Sequence, residues 1–255
     1  MAAMTLEEYE KLDPRCVVRS GAFEVVYATP NTATKWRVDT LFEKEPVTLE
    51  WIAGFDKGAV LADVGANVGM YSLWAAKTRE ARVVAFEPEA QNFALLNRNI
   101  FLNQVPHLVR AYCVGLSDRA GLGKLHLSRF MAGGSSHSLN ERVDPFHRPA
   151  QPAFTQGSVA ATLDDLVRDA AVPAPAHIKI DVDGFEPKVV QGALGTIRSG
   201  AVRSLLIEVN QNLPDHMAMV AQLVALGFRY DPGQVRRALR ESGPFKGCAE
   251  YVFTR

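Results

Sequence analysis

Cysteine is scarce: Cys16, Cys113 and Cys248 are the only three in 255 residues, far apart and in no Cys-x-x-Cys or Cys/His spacing. That argues against a disulfide framework or a thiolate zinc site and fits reduced thiols in a cytoplasmic protein. Net charge is lacking too, because 28 basic residues balance 28 acidic ones. Phosphate binding usually leaves a basic excess or a basic face, so nucleic acid is not expected as a partner. No apolar run approaches the roughly 20 residues of a membrane span, so no membrane partner is expected either. Residues Met1 to Leu12 are polar and acidic, without the apolar centre of a secretory signal. No repeat or low-complexity block interrupts the chain. What remains is 47% apolar, enough to bury the core of one large α/β domain with an appended arm.

Residues 1–50 are mixed in pattern. Phe23–Ala28 alternates like a short strand, and Thr40 to Phe55 carries Leu41, Phe42, Val47, Trp51 and Ile52 as one helix would. This stretch is expected to form an N-terminal cap or arm, with the main domain over 51–255. From Ala59 onward, strand, turn and helix alternate. Strands are expected at Val60–Val64, Arg82–Phe86, Leu108–Leu116, His177–Val182 and Ser204–Val209, with Lys124–Leu127 as an extension and Tyr251–Thr254 hairpinned with Phe228–Tyr230. Helices are expected at Tyr71–Thr78, Gln91–Asn103, Thr162–Asp169, Pro187–Ser199 and Asp215–Leu226, the last closed by Gly227. Between them, 128–158 is rich in glycine and proline breakers and reads as an irregular loop. The alternation implies a parallel, doubly wound sheet, in which ligands gather at the carboxyl ends of the strands.

The chemistry-bearing residues stand at those ends. Asp63-Val-Gly65-Ala-Asn67-Val-Gly69 ends the first strand, its glycines allowing a tight turn and close backbone approach. The spacing fails as a dinucleotide fingerprint, because Asn67 and Met70 fall where glycines are required, and no Gly-Lys-Ser/Thr follows to make a P-loop. An acidic Asp63 suits a cationic ligand better than a pyrophosphate. Glu87 ends the second strand, where a carboxylate can accept from both hydroxyls of a ribose. After the third strand, Ser117 and Asp118 could meet an adenine amino group, or Asp118 could cap its own turn. The fourth strand gives Asp181, Asp183 and Glu186, an unusual concentration of like charge. Asp181 is the main catalytic candidate, because it ends a buried strand.

Taken together, Asp-Val-Gly-Ala-Asn-Val-Gly-Met-Tyr-Ser (63–72), Phe-Glu-Pro (86–88), Gly-Leu-Ser-Asp (115–118), Thr-Leu-Asp-Asp-Leu (162–166), Ile-Lys-Ile-Asp-Val-Asp-Gly-Phe-Glu (178–186) and Leu-Ile-Glu-Val-Asn (206–210) resemble the FkbM-type methyltransferases. The resemblance covers about residues 59–210 and none of 1–50. It implies a Rossmann-like class I methyltransferase fold with a seven-stranded, mostly parallel sheet. It also implies S-adenosylmethionine as donor and O-methylation of a hydroxyl on a sugar or specialised metabolite. The donor site would then use Asp63, Gly65, Asn67, Gly69, Glu87, Ser117, Asp118 and Asp181. Where the family commonly has Asp-Val-Glu-Gly, this chain has Asp181-Val-Asp183-Gly184; the shorter acid keeps the charge and changes the reach.

Methyl transfer from a sulfonium is an in-line displacement, so the protein must hold a nucleophile near the methyl carbon and take its proton. His126, His137 and His147, half of the six histidines, fall in or beside the 128–158 loop. His137, in a mobile polar stretch, is the base candidate. Arg129, Arg142 and Arg148 there suggest an anionic or polyhydroxylated acceptor. Glu208 and Asn210, at the end of the fifth strand, would either hydrogen-bond the acceptor or join Asp181 as oxygen ligands of a magnesium ion. The partner expected is a small-molecule hydroxyl acceptor, and the arm could mediate a homodimer. The rival readings are a nicotinamide-dependent oxidoreductase and a non-catalytic S-adenosylmethionine-binding relative.

Overall fold

The computed structural model describes residues 4–255, so residues 1–3 of the expected arm lie outside the described residues. An antiparallel hairpin, β1 (Arg15–Ser20) and β2 (Phe23–Ala28), comes first. The central sheet starts with β3 (Val60–Val64), β4 (Arg82–Phe86) and β5 (Val109–Tyr112). The chain then makes a second sheet from β6 (Gly115–Leu116), β7 (Gly121–Leu127), β8 (Ser138–Leu139) and β9 (Phe154–Ala161), before returning with β10 (His177–Ile180), β11 (Ser204–Asn210) and β12 (Cys248–Thr254). The central order is β12-β11-β10-β3-β4-β5, all parallel except β12. Chain direction across the sheet reverses between β3 and β10, the switch point outside which α/β sheets bind ligands.

The sheet has six strands where seven were expected. The missing position is held by a single bridge, Arg229 to Thr254. Asp231 caps a helix at Pro232–Ala238 directly afterwards, so Phe228–Tyr230 has no length left to pair. Other expectations need correction too: the single strand over Leu108–Leu116 is two, β5 in the central sheet and β6 in the second. The helix over Thr40–Phe55 is two helices, Leu41–Lys44 and Pro46–Ala53, because Pro46 forces Glu45 out of helical geometry. The helix over Pro187–Ser199 is also two, Glu186–Gln191 and Leu194–Arg198, parted where Gly192 packs on the Ser117 carbonyl. The supposedly irregular 128–158 contains β8 and the start of β9, and Lys124–Leu127 belongs to this second sheet instead of extending the first.

Each face of the central sheet has its own core. Alternation along β3 sends Leu61 to one and Ala62 and Val64 to the other. The hairpin is fastened over the first face: Asn99 and Asn103 accept from the backbone amides of Ala28 and Val26, and the Tyr27 hydroxyl donates to the Met70 carbonyl.

Candidate active site

Asp63 lies on the first face, and strand register sets Lys179 of β10 directly beside it. One step beyond that ladder come Asp181 and Glu208, with Glu208 opposite Glu250 of β12. The result is a row of charged side chains along the carboxyl edge. Lys179, 2% exposed, donates to Asp181 Oδ2 at 2.8 Å and lies over the Tyr71 ring. Burial works against its charge, but Asp181, Glu45 and Asp63 around it raise its proton affinity above the ordinary lysine value. Burial likewise works against the Asp181 charge, and Lys179 and Lys44 overcome it, holding that carboxyl well below its usual range. Arg240 spans the like-charged pair, with Nη1 on Glu208 at 2.6 Å and Nη2 on Glu250 at 2.7 Å.

The turn after β3 is shaped by two positive-φ glycines. A Cβ on Gly65 (φ +80°) would lie 1.9 Å from the Asp181 carbonyl, and one on Gly69 (φ +86°) would lie 2.4 Å from Leu96 Cδ1. Only glycine lets the turn nest against the end of β10. Asn67, at φ +51°, donates its backbone amide to Glu87 Oε2 at 2.8 Å. Glu87 Oε1 accepts from the Glu89 amide at 2.9 Å, and each oxygen keeps a lone pair. Burial pushes the Glu87 carboxyl up to about 7.

These ends open on a cleft with about 710 Å³ of empty space, part of it open to solvent. Gly65, Asn67, Glu87, Ser117, His137 and Asp181 line it, together with the apolar Phe86, Leu116, Leu125, Leu139 and Phe185. Asp118 does not. It is exposed and accepts from the Ser117 hydroxyl and the Arg119 guanidinium, both side-chain partners. The loop before His137 is tied down where a mobile one was expected. Asn67 and Asn92 both donate to the Gly134 carbonyl, Asn92 accepts from Gly133, and the Ser136 amide donates to Asp183 Oδ2 at 2.7 Å. His137 Nδ1 accepts from the Ser128 amide at 3.2 Å, so in the neutral ring the proton sits on Nε2, which is buried without a partner. Burial pushes the ring down to about 4. The side chain is therefore a neutral hydrogen-bond donor, poorly arranged for the role of base.

Asp183 belongs to the site although it departs from the Asp-Val-Glu-Gly pattern. It lines the cleft at φ +55°, and Oδ1 carries no hydrogen bond. Burial and then the Asp181 charge push this carboxyl up to about 6. Beneath it, Glu186 takes the Val182 and Gly184 amides, and the Gly184 carbonyl accepts from His147 Nε2 at 2.8 Å and His216 Nε2 at 3.2 Å. Those contacts fix a strained turn, Asp183 and Gly184 both at positive φ, that presents Asp183 to the cleft.

The magnesium set does not fit. Asp181 Oδ2 and Glu208 Oε1 already hold Lys179 and Arg240, and Asn210 Oδ1 accepts from the Asn212 amide at 3.0 Å. Asp181 does come close to Glu186 and Glu208, but Glu186 is spent on backbone amides and the row carries its own cations. Asn210 is buried at the end of β11, and Glu208 is an ion-pair partner of Arg240.

Residues 63–230 match the methyltransferase FkbM domain. Hexuronic acid methyltransferase AglP of Haloferax volcanii is 28% identical over 178 residues, covering 69% of this chain and 66% of that protein. Methyltransferase sdnD of Sordaria araneosa is 27% identical over 162 residues, covering 55% and 62%. The chain thus spans just under two thirds of the length of these relatives. A solved FkbM methyltransferase from Methylobacillus flagellatus KT shares the fold, with a TM-score of 0.53 at 13% identity over 88% of this chain and 62% of that one. The failed dinucleotide spacing at Asn67 and Met70 agrees with this and leaves the oxidoreductase reading without support. Across two thirds of its length, from the glycine turn to the end of the fifth parallel strand and beyond, the chain belongs to the FkbM methyltransferase family.

Proposed function

We propose that the chain is an S-adenosylmethionine-dependent O-methyltransferase acting on a hydroxyl of a sugar or specialised metabolite. The observation that carries this reading is the placement of Glu87, Gly65 and Asp183 around one cleft. The donor, when bound, supplies a methyl carbon on a positively charged sulfur. Glu87 offers two lone pairs, geometry suited to a ribose diol, with an apolar wall of Phe86, Leu116, Leu125 and Leu139 beside it for a base. Asp181, kept ionised by Lys179, and Asp183 provide negative charge where a cationic centre would sit. Asp183 is the base we assign to the acceptor hydroxyl: its proton affinity is raised towards neutrality, its Oδ1 is free, and the turn beneath it is rigid. His137 would donate from Nε2, orienting an acceptor oxygen. No step needs a metal.

A sugar or related polyol is favoured because a similar protein is named a hexuronic acid methyltransferase. The test is incubation with methyl-labelled S-adenosylmethionine and a panel of uronic acids, neutral sugars and polyhydroxylated metabolites, with the product located by NMR. A methyl ether on one acceptor is the expected outcome. Label on nitrogen or carbon alone would overturn the assignment to oxygen.

A further inference from the structure

The turn that presents Asp183 is held from two sides at one atom. The Gly184 carbonyl oxygen accepts from His216 Nε2 at 3.2 Å and from His147 Nε2 at 2.8 Å, which uses both of its lone pairs. His216 is buried in the first turn of the helix Pro214–Ala225. Its Nδ1 accepts from the Asn210 amide at the end of β11, so its proton stands on Nε2. His147 comes from the segment 128–158. Its Nε2 faces a carbonyl, which only accepts, so the proton stands there as well. His147 Nδ1 is then a lone pair, 3.9 Å from Asp215 Oδ2. The His147 ring lies 5.6 Å from that of Phe185, on the wall of the cleft.

The same segment meets this turn at two further points. The Ser136 amide donates to Asp183 Oδ2 at 2.7 Å, and a Cβ on Gly184 would come within 2.7 Å of the Pro145 carbonyl oxygen. His147 has φ +59° and Asp183 has φ +55°, conformations uncommon outside glycine. Such strain persists only where the surroundings over-determine it, and here each strained residue belongs to the other's surroundings. We infer that His147 is a positioning residue for the base: by holding the Gly184 carbonyl, it makes the working position of Asp183 depend on docking of the segment 128–158 against the end of β10. The inference goes beyond the proposed function and rests on its assignment of the acceptor proton to Asp183. Without His147 one donor remains, and the carbonyl can swing about it, carrying the neighbouring Asp183 with it. A base must lie within roughly 2.6–3.2 Å of the proton's heavy atom, so a freed turn loses the reaction geometry while the cleft stays intact.

Carbon-13 NMR titration of the Asp183 carboxyl, assigned by its absence in Asp183→Asn, tests this without an acceptor. In the wild type the carboxyl should titrate near 6, because burial and the Asp181 charge raise it. Arg37 and Lys44, from the N-terminal helices, also bear on Asp183, as Asp215 and His216 bear on His147, and all of them remain in the variants. The His147 side chain is 35% exposed, so its replacement opens no core cavity. His147→Ala should move the Asp183 midpoint down by at least about half a unit, as the freed turn admits water. It should also lower kcat by about tenfold or more on the acceptor that the labelling panel identifies, with the acceptor KM little changed. His147→Gln, whose amide still donates, should restore part of both. Should the Ala variant not fold, the Gln variant carries the test with a smaller shift in the same direction. An Asp183 midpoint at or above the wild-type one would overturn the inference whatever happens to unfolding stability, because the contact would then be structural alone. So would full kcat in His147→Ala where Asp183→Asn is inactive. Wild-type kcat in Asp183→Asn would instead overturn the assignment of the base, and this inference with it.

Discussion

Lys179 and Asp181 leave the end of one buried strand two residues apart and close on each other, Nζ to Oδ2 at 2.8 Å, with Lys179 the register partner of buried Asp63. Lys179 is thus the counter-charge for a row of carboxylates that would otherwise repel. Lys179→Met should lower unfolding stability by about 3–5 kcal/mol, the cost of stranding a buried charge, read from the urea midpoint at pH 7. The Asp181 carboxyl titrates lower folded than unfolded, so its contribution is present above the unfolded value near ~4 and lost as pH falls towards the folded one. The wild type should therefore lose stability on acidification below about pH 4–5, and the variant should lose less over the same window. Equal midpoints at pH 7 would show that the pair does not carry this charge.

Glu87 moves the other way. Its folded carboxyl is raised to about 7, so in the free protein it favours folding at low pH and that contribution fades as pH rises through 7. A ribose diol donates to the ionised form, so donor affinity should rise between pH 6 and 8. Glu87→Gln should weaken binding and flatten this dependence, measured by calorimetry at the two pH values. A parallel pH slope in wild type and variant would remove Glu87 from the donor contacts.

Asp183 is assigned the proton. Asp183→Asn should lower kcat by roughly 10²–10⁴-fold and remove the acidic limb of the rate profile near pH 6. A variant with normal kcat would return the role to another group on the cleft.

Chelation separates the two sources of charge. Lys179 and Arg240 already pair with Asp181 and Glu208, the carboxylates a magnesium ion would need, so activity after EDTA treatment and desalting should equal that before. Loss on chelation, with recovery on added Mg²⁺, would contradict the argument from those ion pairs.

Much of this architecture was legible in the chain itself. The parallel strands announce themselves because burial on both faces demands continuous runs such as Val60–Val64 and Arg82–Phe86. Their order then places Asp63, Glu87 and Asp181 at one edge. What escaped depends on contacts distant in sequence. β9, with Phe154 and Val159 left exposed, follows a proline-rich stretch and lacks the alternation that would mark a half-buried strand. The anchoring of the Gly133–Gly134 loop comes from Asn67 and Asn92, residues whose local setting gives no hint of that loop. Arg240 neutralises Glu208 from 32 positions away, which made Glu208 look available. The tautomer of His137 follows from the Ser128 amide, a relation that only the fold creates.

The central claim is that the glycine turn and Glu87 hold a methyl donor, and one titration tests it most directly. S-adenosylmethionine added to the wild-type protein at pH 8 should bind one to one. The same titration on Gly65→Ala, whose Cβ would collide with the Asp181 carbonyl, should show at least about tenfold weaker binding, equivalent to ~1.4 kcal/mol. No binding to a folded wild-type protein, or equal binding to both, would contradict the account.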